Sequence, residues 1–267
     1  MSSTISASLV KELRDATGAG MMECKRALEE TNGDLEAART LLRERGMARA
    51  GKRADRATSE GVVLTLLGEE QGTLVAVGCE TEPVSKNDEF LAFAQKVLET
   101  AAGGGDVASL DEERVALGAK LGENIVVAGA KRMEAAEGET LSEYVHAPAN
   151  KIGVLVQLNG GDAALARQLA MHISFSAPEW VRKDEVPTEA VEAERQIYLN
   201  SDELAGKPEQ AKEKIVEGML QKRFYAAQPG GVLEEQPWIH DASQTVAQAL
   251  EAQGARVLAF KRFSVAE

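Results

Sequence analysis

The chain of 267 residues has an ordinary globular composition, with 44% hydrophobic and 27% charged residues, and a net charge of −13. A chain of this length buries a core without disulfides, and its acidic balance disfavours bulk nucleic-acid binding, which needs a basic surface. It has no run of about 20 apolar residues and no signal-like N-terminus, which disfavours membrane and secreted proteins.

The cysteines give no metal or disulfide pattern. Cys24 and Cys79 form no CxxC pair, so the sequence predicts neither a zinc site nor a disulfide framework. A reduced, cytoplasmic protein fits best. The first 58 residues are slightly basic and the remainder strongly acidic, and this shift predicts a domain boundary near residue 58.

Residues 1–45 predict three short helices. Ser6 can cap the first helix, a glycine-rich turn ends it, the second helix begins at Met21, and Asp34 can cap the third. So short a module buries only a small core and is typical of a surface presented to a partner. The apolar residues spaced to face inward are Leu9, Val10, Leu13, Cys24, Ala27, Leu28, Leu35, Ala38, Leu41 and Leu42.

The segment 46–59 is rich in Gly, Ala, Arg and Lys. This composition indicates a solvated linker or a fraying helix end. An arm that contacts an anion or a partner is the alternative.

From Gly61 onward, strands and helices alternate, and a hairpin followed by a helix occurs twice. The similarity of GTLVAVGC (72–79) to GVLVQLNG (153–160) predicts two related α+β subdomains, 60–140 and 141–267. The predicted elements are strands 62–67 and 73–79, a polar loop 80–87, helices 90–101 and 111–121, and strands 125–128, 141–146 and 152–158, followed by a helix 162–176.

Two charged helical stretches form most of the segment 187–224, and their narrow apolar seam predicts an antiparallel helical hairpin that stands off the body. A helix capped by Ser243 follows. The last strand, 257–265, is predicted to complete the second sheet.

No enzyme signature is present. The segment TGAGMMECK lacks the phosphate-loop pattern GxxxxGK[ST], and His146, His172 and His240 have no metal-binding spacing. We expect His172 to be structural and Cys79 to be an inert buried thiol. The sequence therefore predicts no cofactor, no metal and no covalent chemistry.

The segment Glu80 to Asn87 leaves a hydrophobic strand and carries two carboxylates, a proline and a lysine just before a helix. One interpretation is a turn that caps the helix. The other is a rigid projecting loop that inserts into a partner, with Pro83 holding its shape.

Several segments together resemble the translation elongation factor Ts family nearly from end to end. They are Val10-Lys11-Glu12-Leu13-Arg14, Thr17 to Leu28, Asn32-Gly33-Asp34, Val84 with Lys86, Asn87 and Phe90, Gly122-Glu123-Asn124-Ile125, Ile152-Gly153-Val154-Leu155, Met171-His172-Ile173, Pro178-Glu179, Glu217-Gly218-Met219 and Glu235-Gln236-Pro237.

This resemblance implies a ubiquitin-associated-like three-helix module, a linker, and a core of two α+β subdomains with a protruding helical hairpin. It implies guanine-nucleotide exchange on elongation factor Tu, bound in its GDP-bound and nucleotide-free forms, without direct contact to nucleic acid or membrane. It further implies that Leu13, Met21 and Met22 contact the GTPase domain and that His146 faces another partner domain. For the first three residues, an ordinary three-helix core is the alternative.

The resemblance includes one departure. The family motif Thr-Asp-Phe-Val, whose aromatic ring wedges near the magnesium and phosphates, aligns with Thr81, Glu82, Pro83 and Val84. The carboxylate is one methylene longer, and the ring is absent. A proline keeps the loop stiff but does not stack like an aromatic ring.

Two other function classes remain open on sequence alone. A three-helix module of this type also suits a protein-binding adaptor without exchange activity. An enzyme that uses a cleft between subdomains has no residue constellation to support it.

Overall fold

The computed structural model describes residues 5–266, apart from the side chain of Arg49. The mixture of helices and sheets confirms the predicted α+β class. The helices are α1 (Ala7–Thr17), α2 (Met21–Glu30), α3 (Leu35–Arg53), α4 (Glu82–Ser85), α5 (Asp88–Ala102), α6 (Asp111–Leu121), α7 (Ala163–Ser176), α8 (Thr188–Leu199), α9 (Glu209–Met219) and α10 (Val246–Glu251).

The described strands form two three-stranded sheets and a two-stranded ribbon, in the orders β1-β2-β3, β4-β5-β8 and β6-β7. The strands are β1 (Glu60–Leu67), β2 (Gln71–Cys79), β3 (Val126–Glu134), β4 (Glu139–Val145), β5 (Ile152–Asn159), β6 (Pro237–Trp238), β7 (Asp241–Thr245) and β8 (Arg256–Ser264). The prediction that the last strand joins the second sheet is confirmed.

Contacts divide the chain into two compact units. The first unit contains the described residues 5–64, 75–130 and 264–266, and the second contains 65–74 and 131–263. The predicted domain boundaries near residues 45, 59 and 140 differ from these divisions. They stay predictions, because contacts do not test which segments fold alone. The predicted domain ends at 1–4 and 267 lie outside the described residues.

The first three helices begin and end where the sequence predicts. The Ser6 hydroxyl accepts a hydrogen bond from the Leu9 amide at 3.2 Å, and the Asp34 carboxylate accepts one from the Ala37 amide at 3.0 Å. Their core is small, and burial within it raises the pKa of the Cys24 thiol. The buried residues of this core are Val10, Leu13, Cys24, Ala27, Leu28 and Ala38.

Helix α3 is longer than predicted and continues to Arg53, into the segment 46–59 that was expected to be a linker or a helix end. Ala, Arg and Lys all favour helix, and α3 packs along α6. Arg53 donates to the Gly118 carbonyl at 3.0 Å, and Arg43 pairs with Glu112. Met47, the one large apolar side chain of the segment 46–59, is exposed.

The first sheet packs against α5. The predicted polar loop 80–87 is partly wrong, since it contains the single helical turn α4. The Asn87 side chain accepts hydrogen bonds from the amides of Glu89 and Phe90 and so begins α5. The core residues are Val62, Val75, Val77, Cys79, Phe90, Phe93, Ala94, Val97, Leu98, Ala101, Leu117 and Ile125.

The second sheet packs against α7, so the predicted repeat of a hairpin followed by a helix is confirmed as an element order. Strands β4 and β5 are antiparallel, with Tyr144 opposite Val154. This register places the apolar residues of alternate positions on one face. The core includes Val154, Val156, Leu158, Leu165, Ala166, Leu169, Ala170, Ile173, Leu233, Trp238, Val246, Leu250 and Val257.

The predicted pair of charged helices corresponds to α8 and α9, and α9 continues into a π-helical turn, Leu220–Tyr225. A separate small core stabilises the pair, as the thin apolar seam indicated. Its buried residues are Tyr198, Leu204, Val216, Met219 and Leu220.

The predicted cap of the last helix is wrong. Ser243 lies in β7, where its amide and hydroxyl donate to Asp241 at 3.1 and 2.6 Å. Thr245 caps α10 instead, because it forms a reciprocal capping box with Gln248. Helix α10 therefore begins at Val246.

His172 is completely buried in the second unit, and both of its ring nitrogens are hydrogen-bonded. Nδ1 accepts from the Ile239 amide at 3.3 Å, so Nε2 carries the proton and donates to Gln236 Oε1 at 2.9 Å. The ring stacks on Trp238 with centroids 5.2 Å apart. Burial lowers the pKa of His172 to about 4. These contacts are structural.

This burial predicts loss of stability in mild acid. In the unfolded chain the His172 imidazole is protonated below about pH 6.5, whereas in the folded chain it is protonated only below about pH 4. We expect the free energy of unfolding to fall by up to about 3 kcal/mol between about pH 6.5 and about pH 4 through this group. Urea denaturation followed by tryptophan fluorescence measures the change.

The test compares the parental chain with His172→Gln, which should lack this part of the pH dependence. His146→Gln removes an exposed imidazole from the same unit and serves as the control. An equal loss of pH dependence in both variants would contradict the assignment to the buried ring.

Candidate functional site

The loop 81–84 lies between β2 and α5 in the first unit. Thr81, Glu82 and Pro83 are exposed, whereas Val84 is half-buried and packs against the core of that unit. The loop therefore has an exposed tip fixed to the protein by an apolar residue. The four predicted loop residues are consecutive and act as one structural element.

The tip is a single helical turn. The Ser85 amide donates to the Thr81 carbonyl at 3.1 Å, and the Ser85 hydroxyl donates to the Glu82 carbonyl at 2.8 Å. Pro83 stands in the first turn, where the missing amide hydrogen has no helical partner to lose. Its fixed φ angle stiffens the turn.

Glu82 and Lys86 form an ion pair across this turn, with Oε1 and Nζ 2.6 Å apart. The hydrogen bond from Lys86 to Glu82 raises the pKa of the lysine. Both side chains are largely exposed to water, which screens the attraction. The ion pair therefore contributes little to the free energy of folding.

A second set of contacts, here termed the carboxylate clamp, consists of Glu80, Thr81, Glu123 and Asn124. Glu123 Oε2 accepts hydrogen bonds from the amides of Glu80 and Thr81 at 3.0 and 3.1 Å, and Oε1 accepts one from the Thr81 hydroxyl. In return, Glu80 Oε1 accepts from the Asn124 amide at 2.6 Å. Each of the two segments thus supplies a carboxylate to the backbone of the other.

The clamp also reaches the end of the first three helices. The buried Asn124 side chain donates to the carbonyls of Arg56 and Ala54 at 3.1 and 3.4 Å. Arg56 in turn pairs with Glu80 at 3.3 Å. Glu80 was not among the candidate site residues predicted from sequence. The sequence signal that could have identified Glu80 is its position directly after the end of β2.

Of the three residues expected to contact a partner from the helical module, two are exposed and one is not. Met21 and Met22 are 53% and 58% exposed. Leu13 is completely buried in the three-helix core and presents no surface. The alternative of a core residue therefore describes Leu13, while the methionines form an adaptable apolar surface.

The turn that precedes these methionines contacts α6. Gly18 has a φ angle of 68°, which favours glycine, and a Cβ atom there would lie 2.7 Å from Lys120 Cδ. Lys120 continues to an ion pair with Glu89 at the start of α5, with Nζ and Oε2 2.6 Å apart. The helical module and the helix that follows loop 81–84 are thus joined within one unit.

His146 lies in the second unit, at the exposed turn between β4 and β5. Its Nδ1 atom is 3.0 Å from the Tyr144 hydroxyl. Arg167 lies over the Tyr144 ring, 5.8 Å from its centroid. These contacts form a polar and aromatic surface patch.

No group of three or more His, Cys, Asp or Glu side chains in 5–266 is arranged to hold a metal ion. Among the helices described, none combines the length and apolar character needed to cross a membrane.

Comparisons with known proteins identify one family. The family model described as elongation factor TS matches residues 80–267. An elongation factor Ts from Thioalkalivibrio sulfidiphilus is 45% identical, over 99% of this chain and 93% of its own length. The elongation factor Ts of Alkalilimnicola ehrlichii is 42% identical and that of Escherichia coli O139:H28 is 44% identical, each over 98% of this chain and 92% of its own length. The chain belongs to the elongation factor Ts family.

Proposed function

We propose that this chain is a guanine-nucleotide exchange factor that binds elongation factor Tu, in its GDP-bound and nucleotide-free forms, and promotes GDP release during translation elongation. Family membership supports the partner. The observation that carries the mechanism is the exposed loop 81–84, held on one side by the hydrogen bonds to Glu123 and on the other by the packing of Val84. The proposed role involves no covalent step and belongs in the cytoplasm.

Exchange is a coupling of two binding equilibria. If binding of this chain weakens GDP binding, GDP weakens binding of this chain by the same factor. Loosening a nucleotide about 10⁴-fold requires about 5.5 kcal/mol of coupling. A single loop does not supply so much, so we infer an extended interface that includes the helical module, loop 81–84 and the His146 patch.

In this mechanism, loop 81–84 disturbs the magnesium and phosphate site of the partner. The Glu82 carboxylate disfavours a nearby phosphate by like-charge repulsion, which strengthens as water is excluded. Lys86 weakens this repulsion as long as the ion pair is closed. Pro83 replaces the family's aromatic wedge with a smaller, rigid apolar tip.

Met21 and Met22 anchor the nucleotide-binding domain of the partner. Methionine side chains adapt to an apolar surface at low cost, because they are unbranched and flexible. Leu13 contributes indirectly, since it fills the core beneath them.

The proposal predicts faster GDP release. Elongation factor Tu carrying a fluorescent GDP analogue is mixed with excess unlabelled GDP, with and without this chain. We expect the release rate constant to rise about a hundredfold or more and to reach a plateau as the chain is added. An unchanged rate constant with the chain in excess would overturn the proposed function.

The loop has its own prediction. The double variant Glu82→Ala/Pro83→Gly removes both the charge and the stiffness of the tip, so its maximal rate of GDP release should fall about tenfold or more. Pro83→Ala keeps a helical turn and should stay within about threefold of the parental rate, because alanine favours helix. If the double variant released GDP at the parental maximal rate, the loop would not be the element that promotes GDP release.

The anchor predicts a different kinetic change. Met21→Ser/Met22→Ser should raise the half-saturating concentration about tenfold and leave the maximal rate unchanged, because apolar contact area is lost. Met47→Ser alters an equally exposed methionine outside the proposed surface and is the control. Equal effects of the two changes would contradict the anchor.

The variant Leu13→Ala distinguishes a core role of this residue from a surface role in the three-helix module. It should lower the free energy of unfolding by about 3 kcal/mol. Such a change would confirm that Leu13 acts from the core.

A further inference from the structure

The carboxylate clamp lies directly beside loop 81–84. The Glu123 side chain accepts three hydrogen bonds, and their donors all belong to Glu80 and Thr81. Hydrogen bonds to a carboxylate are shorter and stronger than those between neutral groups. The backbone that enters the loop is therefore fixed by one side chain of a distant segment.

This side chain fixes one end of the loop, and the apolar core fixes the other. Val84 packs into the core, and Asn87 begins α5 immediately afterwards. Without Glu123, the amides of Glu80 and Thr81 would lose their carboxylate partner, although Glu80 would keep its contacts with Asn124 and Arg56 and Cys79 Sγ would still donate to the Thr81 carbonyl. Glu82 and Pro83 would then move relative to the sheet.

The contacts of the carboxylate clamp are reciprocal. Glu80 accepts from the Asn124 amide, and Asn124 is buried with its side-chain amide on the carbonyls of Arg56 and Ala54. The segment 54–56 follows α3, so the same contacts fix the loop to the end of the helical module.

We propose that Glu123 is a positioning residue for nucleotide exchange. It holds the backbone of loop 81–84 so that docking of the partner displaces the partner's phosphate site rather than the loop. This inference rests on the proposed function. The role of Glu123 differs from that of the loop residues. Glu123 is proposed to act through Glu80 and Thr81 and to contact neither the nucleotide nor the partner.

The test compares Glu123→Ala, which removes the acceptor, with Glu123→Gln, which keeps a carbonyl acceptor for the two amides. In the alanine variant we expect the maximal rate of GDP release to fall about tenfold or more, with the half-saturating concentration within about twofold. The glutamine variant should recover most of the rate. Amide hydrogen exchange of Glu80 and Thr81 should quicken about tenfold in Glu123→Ala.

The control is Leu117→Ala, which creates a cavity under α6, the helix that precedes Glu123, and removes none of the hydrogen bonds of the clamp. It should lower the free energy of unfolding at least as much as Glu123→Ala and keep the maximal rate. If it slows release equally, the role of Glu123 is merely structural and the inference is overturned. Should Glu123→Ala not fold, Glu123→Asp, which withdraws the carboxylate by one methylene, replaces it in the comparison with Glu123→Gln.

Two further outcomes are decisive. Faster amide exchange in Glu123→Ala together with a parental maximal rate would overturn the inference and leave the proposed function intact. A parental chain that does not accelerate GDP release would overturn the proposed function and the positioning role with it. The reference reaction with the parental chain distinguishes these cases.

Discussion

The interaction on which the candidate site depends is a hydrogen bond from a backbone amide to a carboxylate of another segment, made in both directions. Glu123 accepts from Glu80 and Thr81, and Glu80 accepts from Asn124. Two carboxylates placed so near each other would repel in isolation. The amide donors and the Arg56 guanidinium, 3.3 Å from Glu80, offset this repulsion, and the result is a fixed exit from β2.

Apolar burial stabilises the rest of the fold, and it does so in several separate cores. The helical module, the first sheet with α5, the second sheet with α7, and the helical pair each contain a core of their own. Polar and flexible side chains are thereby left for the surface, where Met21, Met22 and Glu82 stand exposed. The division agrees with the proposed binding role, since Met21 and Met22 leave apolar area at the surface.

Periodicity and capping residues predicted most elements, because the helix ends are chemically explicit. Ser6, Asp34 and Asp162 cap the helices that they were expected to cap or begin. Ser243 was wrongly predicted to cap the last helix. Its amide donates to Asp241 instead, and Thr245 caps α10.

The place of loop 81–84 between a strand and a helix was predicted, whereas the side chains that support the loop were missed. The loop residues follow from the end of β2 and from the resemblance. The partnership between Glu80 and Glu123 joins residues far apart in the chain, and no local pattern encodes such a pairing. Burial likewise decides between equivalent apolar residues, since Leu13 and Met22 differ in exposure for tertiary reasons.

The continuity of α3 has a practical consequence for dissecting the protein. A fragment that ended at residue 45 would divide this helix in its middle and discard the arginine that bonds to Gly118. A fragment that ended after Arg56 would preserve the whole helix and carry away carbonyls to which Asn124 donates. Neither cut is neutral, so deletions in this region remove contacts of both pieces at once.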